Sequence, residues 1–208
     1  MIMTTPYMAR IEWLTARKSV IGGSDAAAIV GRHPYKTAEE VMEEKLSPVI
    51  EDKPNLACRH GTYCEPFVAE LFTEETGLKV RRKNFMLHSE SRPFMAANID
   101  RKIQGMEAGL ECKTTCVFNR AKFGDGNIVL AGSDDDPPFP YEYFVQITHY
   151  MAVTGWNRWF LAVLIGNKEF RWYEIERDER NIQYLIEEET KFYQQLQQER
   201  ERRIINNG

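Results

Sequence analysis

Asp100, Glu111 and Lys113 are the residues of this 208-residue sequence whose types and spacing first suggest chemistry. On a β-strand alternate side chains share a face, so Glu111 and Lys113 project together while Cys112 points the other way. An aspartate arriving from a preceding strand would join them around one small volume. Hard oxygen donors of that kind suit Mg2+, which keeps several of its waters. Asp100, Glu111 and the Cys112 carbonyl are candidate ligands, and Lys113 could orient or deprotonate a water on the ion. Such an assembly fits phosphodiester hydrolysis, where a metal polarises the phosphate and lowers the pKa of water. The competing reading is a solvated ion pair between Glu111 and Lys113.

Three further features bear on that choice. Glu65 is in helical register with Val68, Ala69 and Phe72, and a carboxylate within an apolar stripe needs a cation. A metal or an arginine would serve. Gln146 and Tyr150 lie four apart, with His149 and Val153 beside them and Phe144, Ile147 and Met151 opposite. That strip could contact phosphate, organise the lysine, or simply face solvent. Ser24 follows Gly22-Gly23 and reads as an N-cap, where free amides favour an anion to which Arg17 could add a charge-assisted contact. An ordinary cap is the alternative. The basic run at residues 79–83, with Arg10, Arg17 and Lys18, is either a track for phosphates or a set of solvated faces. The sequence contains no GxxxxGKS/T, so ATP-driven translocation within this chain is not expected.

These residues need a frame. Residues 25–30 read as a short helix that Gly31 can end, and Thr37-Ala38-Glu39-Glu40 as a capping box opening a helix to about residue 46. A longer helix covers about 61–76, closed by Gly77. Residues 79–88 and 94–103 look like strands on either side of a polar turn, and 109–115 like a third. Residues 117–140 are polar and turn-rich, with Asp134-Asp135-Asp136-Pro137-Pro138, and read as an excursion from the core. A helix at 143–154 ends at Gly155. Residues 158–165 and 169–176 form a hairpin across Gly166-Asn167-Lys168. The last helix, 178 to about 203, places Ile182, Leu185, Ile186, Phe192, Tyr193 and Leu196 on its apolar side. This order predicts an α/β fold with a mixed central sheet flanked by helices, in one domain over residues 1–208: a core at about 10–176 and a C-terminal helix.

Composition sets the outer limits. The content is 43% hydrophobic and 28% charged, as in ordinary globular chains, and the net charge of −4 argues against a polycationic nucleic-acid coat. No apolar run reaches membrane-spanning length and no secretory signal is evident, which points to a cytoplasmic protein without a membrane partner. Cys58, Cys64, Cys112 and Cys116 have no CxxC pair and read as reduced thiols rather than metal ligands.

Taken in order, Arg17…Ile21-Gly22-Gly23-Ser24-Asp25, His60-Gly61-Thr62-Tyr63-Cys64-Glu65-Pro66, Asn98-Ile99-Asp100, Leu110-Glu111-Cys112-Lys113 and Tyr143-Phe144-Val145-Gln146…Tyr150 resemble the YqaJ-like viral recombinase family. That family includes the lambda-type phage exonucleases and belongs to the PD-(D/E)XK superfamily, and the likeness runs over about residues 10–175. It implies a restriction-endonuclease-like core and a Mg2+-dependent, ATP-independent 5′-to-3′ exonuclease. Such an enzyme digests one strand of linear duplex DNA to leave 3′ tails for recombination. The resemblance makes Asp100 and Glu111 the metal carboxylates with the Cys112 carbonyl assisting, Lys113 the catalytic lysine, Glu65 a ligand at a second ion, and Gln146 a neighbour of the lysine. Arg17 and Ser24, with Tyr150 on the DNA side, would hold the 5′-phosphate. It further implies a two-metal site in which Mn2+ can replace Mg2+, a homotrimeric ring, a single-strand annealing partner, and a phage or prophage gene in a bacterial host. Ile99 stands where the signature has proline. The 117–140 segment and the C-terminal helix lie outside the likeness.

Other readings remain open on the residues alone. An endonuclease of the same superfamily would ignore end phosphates, and a non-catalytic DNA-end-binding protein would bind without cutting. An iron–sulfur nuclease would need cysteines that are missing after residue 116.

Overall fold

The computed structural model describes residues 2–4, 9–83, 85–132 and 136–207. Its frame is a six-stranded mixed sheet held between helices. The elements run β1 (Ile2–Thr4), α1 (Arg10–Ser19), β2 (Ile21–Gly22), α2 (Gly23–Ile29), α3 (Ala38–Leu46), α4 (Leu56–Thr76), β3 (Val80–Arg82), β4 (Leu87–Ser89), β5 (Met95–Ala97) and β6 (Arg101–Ile103). Then follow β7 (Ala108–Thr115), a 3-10 turn (Val117–Lys122), β8 (Ile128–Leu130), α5 (Tyr141–Thr154), β9 (Arg158–Ile165), β10 (Glu169–Glu176) and α6 (Glu179–Asn207). The large sheet has the order β3-β6-β7-β9-β10-β8, and a four-stranded sheet, β1-β4-β5-β2, stands beside it.

The strand centre follows from side-chain alternation. β7 and β9 pair in parallel from Ala108↔Arg158 to Thr115↔Ile165. Parallel neighbours need a long crossover, and the chain between them, ending in α5, supplies it. Along β9, Trp159, Leu161 and Val163 enter one core with Ile147, Tyr150 and Met151 of α5. Phe160 and Ala162 enter the other with Val68, Ala69 and Phe72 of α4. The sheet is thus covered on both faces, as its nearly continuous apolar strand requires. Gly109 is needed where it stands, because a Cβ there would lie 2.2 Å from the Trp159 ring.

The hairpin of β9 and β10 and the Thr37 capping box form as the sequence predicts: Thr37 Oγ1 accepts from Glu40 N–H at 3.2 Å and Glu40 Oε2 from Thr37 N–H at 2.8 Å. α4 and α5 end at Gly77 and Gly155, both in the left-handed region. The strands before β7 differ from expectation. Each of the two runs breaks in half, with β3 and β6 in the large sheet and β4 and β5 in the small one. The cause is local at Asn98-Ile99-Asp100: Asp100 Oδ2 accepts the Cys112 N–H at 2.8 Å, just past the last β6–β7 pair, Arg101↔Leu110, so a side chain takes over from the backbone ladder. The 117–140 segment is less of an excursion than its polarity suggests. It buries Phe123, Leu130 and Phe139 and returns as β8, parallel to β10. Asp134 and Asp135 of its acidic run lie outside the described residues.

α6 packs along its length. Ile182 and Ile186 join the α5 core, Leu185 meets Ala26 and Ala27, and Phe192 and Leu196 meet Ile21, Ala28 and Val41. Beneath it, His149 of α5 and Glu189 of α6 meet at 2.8 Å with both side chains fully buried. Burial pushes the Glu189 carboxyl up. His149, which burial alone would push down, is held above its ordinary value by Glu189. Among the described residues no helix is long and apolar enough to cross a membrane.

Candidate active site

The alternation on β7 delivers Glu111 and Lys113 to the α5 side of the sheet, where Gln146 meets them. Lys113 Nζ lies 2.7 Å from Glu111 Oε1 and donates to Gln146 Oε1 at 3.0 Å. Gln146 Nε2 donates to Glu111 Oε1 and to the Tyr150 hydroxyl, both at 2.7 Å. The Tyr143 ring flanks the ammonium at 5.1 Å from its centroid. Glu111 is 4% exposed, so this is no solvated surface pair. Of the alternatives for the polar strip on α5, facing solvent is excluded: Gln146, His149 and Tyr150 are all buried, with Gln146 on Lys113 and His149 on α6. Tyr150 is 4% exposed, and its hydroxyl accepts from Gln146, which holds Lys113.

The carboxylates are crowded and short of partners. Burial, then the Glu111 and Glu65 charges, hold the Asp100 carboxyl well above its ordinary value. Burial alone would push Lys113 down, yet Glu111 and Asp100 hold it above its ordinary value, so it carries its proton. Glu111 Oε2 is buried with no hydrogen-bond partner, a costly state for an anionic oxygen. That oxygen beside Asp100 is the feature that fits a cation. Among the described residues no three His, Cys, Asp or Glu side chains form a ready ligand set. The available donors are therefore two carboxylates and the Cys112 carbonyl, with water completing the shell, a set that suits Mg2+ or Mn2+. Cys112 itself turns toward the α4 core, where burial and then Asp100 push its thiol well up, so only its backbone is available.

Glu65 is paired with an arginine, one of the two kinds of cation that would serve it. Arg101 Nη1 donates to Glu65 Oε1 and, at 2.8 Å, to the Asp100 carbonyl, and the arginine is itself buried. Arg101 was not foreseen. The signal available in the sequence was a cation next to the aspartate, on a strand whose alternation turns it toward α4.

Arg17 and Ser24 do come together: Arg17 Nη2 donates to Ser24 Oγ at 2.8 Å. Ser24 is not the N-cap, however. Gly22 caps α2, and Asp25 Oδ2 takes its N–H at 3.0 Å, which puts Ser24 in the first turn with its hydroxyl turned to Arg17. The Trp13 ring lies under both Arg17 (4.8 Å) and Arg10 (4.9 Å), and its Nε1 donates to Asn98 Oδ1 at 3.0 Å. Gly23 joins this pair to the carboxylate site, since a Cβ there would lie 2.6 Å from the Tyr150 ring and 3.0 Å from Gln146 Cγ. The other basic residues do not form one track. Lys18 caps α3 through the Glu44 and Ser47 carbonyls, Arg10 pairs with Asp52, and Val80–Arg82 is the edge strand of the large sheet.

A family model for the YqaJ-like viral recombinase domain matches residues 12–157, which include Arg17, Ser24, Glu65, Asp100, Glu111, Lys113, Gln146 and Tyr150. The chain belongs to the YqaJ-like viral recombinase family. The uncharacterized protein YqaJ of Bacillus subtilis (strain 168) is 38% identical over 189 residues, 89% of this chain and 56% of that protein. The chain thus spans little more than half the length of this relative. Among solved structures, the alkaline exonuclease LHK-Exo from Laribacter hongkongensis superposes with a TM-score of 0.71 at 20% identity, covering 95% of this chain and 99% of that one. A phage related exonuclease from Haemophilus somnus 129PT gives 0.62 at 14% identity, covering 86% and 96%. This YqaJ-like chain therefore shares the mixed-sheet, helix-flanked fold of those exonucleases, the α/β architecture expected from its order of elements.

Proposed function

We propose that this protein is a divalent-cation-dependent exonuclease that digests the 5′-phosphorylated strand of linear duplex DNA and leaves 3′ single-stranded tails for recombination by strand annealing. The observation that carries this reading is the unpartnered Glu111 oxygen beside Asp100, one hydrogen bond from a lysine fixed by Gln146 and Tyr150. Asp100, Glu111 and the Cys112 carbonyl would hold the ion. When bound, a divalent cation supplies Lewis acidity to the scissile phosphate and acidifies water. The side chains do the rest. Lys113, held protonated, offers an N–H to charge developing on a phosphate oxygen. Gln146 fixes both Lys113 and Glu111, and Tyr150 fixes Gln146. Arg17 and Ser24 receive the terminal phosphate, so that binding places the strand before the lysine. Glu65 is already neutralised by Arg101, and its service to a second ion requires that pair to open. A homotrimeric ring and a single-strand annealing partner, in a bacterial cytoplasm, complete the reading by family likeness.

The test is incubation with linear duplexes carrying 5′-phosphate or 5′-hydroxyl ends, with Mg2+ or EDTA and without ATP, beside a closed circle. Cation-dependent loss of one strand from phosphorylated ends, with the circle intact, is expected. Cutting of the circle would make the protein an endonuclease. Binding to ends without cutting in either condition would make it a scaffold.

A further inference from the structure

Behind Arg17 and Ser24 lies a buried cluster that the chemistry above does not use. Lys45, from α3, is 7% exposed. Its ammonium donates to the Arg17 carbonyl at 3.0 Å, the Val20 carbonyl at 2.6 Å and Asp25 Oδ2 at 2.8 Å. An ammonium has three donors, so Lys45 is saturated. Asp25 also takes the Gly22 N–H, and Lys36 Nζ stands 4.0 Å from its other oxygen. These bonds tie the last turn of α1, which carries Arg17, to the first turn of α2, which carries Ser24. The two anion-binding groups thus sit on different helices, and their separation is only as fixed as this joint. A buried ion pair adds little net stability over apolar side chains of the same volume, so folding alone is a weak reason for a lysine here. Addressing two carbonyls and a carboxylate from one point is something an apolar side chain cannot do.

We infer that Lys45, acting with Asp25, is the positioning residue of the end-phosphate site: it sets the spacing of Arg17 and Ser24 and through it the preference for 5′-phosphorylated ends. The inference rests on the reading of Arg17 and Ser24 proposed above. Lys45 touches no substrate; it acts through the backbone of Arg17 and the first turn of α2.

The experiment compares kcat and KM on 5′-phosphate and 5′-hydroxyl duplex ends for the wild type, Arg17→Ala, and the double variant Lys45→Met/Asp25→Asn. The double variant removes both charges and keeps an acceptor for the Gly22 N–H. In both variants the phosphate-to-hydroxyl ratio of kcat/KM falls toward one, by about tenfold or more for loss of a charge-assisted contact. In the double variant the change is mainly in KM on phosphorylated ends, while a cooperative melt shows it folded. A folded double variant that keeps the wild-type ratio, where Arg17→Ala has lost it, would overturn the inference alone. A wild type indifferent to the phosphate, or an Arg17→Ala variant that keeps the preference, would overturn the end-phosphate reading and this inference with it. Should the double variant unfold, Lys45→Arg, which keeps the charge but cannot bring one ammonium to all three acceptors, carries the same comparison under the same criteria.

Discussion

Two buried charge clusters meet at the contact of α2 with α5, and they differ in how completely they are satisfied. Around Lys45 every donor has an acceptor, and Asp25, which burial alone would push up, is held below its ordinary value by Lys45. Around Lys113 two carboxylates crowd one another, Asp100 is held well above its ordinary value, and an oxygen of Glu111 has no partner. A closed cluster can hold backbone in place; an open one is set up to receive something. Glu189 also has an unpartnered oxygen, but with His149 it is sealed at 0% exposure, whereas Lys113 keeps about a quarter of its side chain, 23%, in solvent. Access separates an open site from a merely imperfect one.

The contrast can be broken by substitution. Lys113→Ala should reduce cleavage by about 10³-fold, the scale of losing one preorganised donor to a developing charge. Its urea midpoint should fall less than that of Lys45→Met, because Asp100, held well above its ordinary value, can keep a proton and spare Glu111 a second uncompensated charge beside it. Lys45→Met should act chiefly on stability, costing about 3–5 kcal/mol by leaving Asp25 buried without compensation. Urea unfolding measures it, and a loss under about 1 kcal/mol would mean that the closed cluster is not a joint. Glu65→Gln should lower activity less than Glu111→Gln, since Arg101 already answers Glu65. Equal losses at saturating Mg2+ would place Glu65 on an ion.

The sealed pair gives the smallest effect, read in pH. A histidine held above its ordinary value lends stability that is fully present below its unfolded pKa of about 6.5 and is lost as pH rises through the raised folded value. Melting temperature should therefore fall by a few degrees as pH rises above about 6.5. The variant His149→Phe/Glu189→Leu should flatten that slope, and an unchanged slope would assign the titration elsewhere.

What could be read from residues alone was local or periodic. The Thr37 box, the glycine stops at Gly77 and Gly155, the β9–β10 hairpin and the shared face of Glu111 and Lys113 all depend on neighbours within a few positions. What could not be read depends on partners far along the chain. Arg101 reaches Glu65 across 36 residues, and Lys45 reaches Asp25 across 20. His149 reaches Glu189 across 40, a contact that helps to bury the polar strip of α5, which the sequence alone left open to solvent. The division of the early strands between two sheets was hidden for a related reason: Asp100 takes a ladder hydrogen bond with its side chain, and alternation does not reveal that.

The close approach at Gly23 has a mechanical consequence. Ser24, next to it, and Gln146, which bonds Lys113, are separated by one van der Waals contact between two helices and by no loop. For an exonuclease of the kind proposed, the grip on the chain end and the place of cutting then share one stiff gauge. The length of each released fragment would be set by that gauge and should stay uniform as temperature, salt and base sequence change.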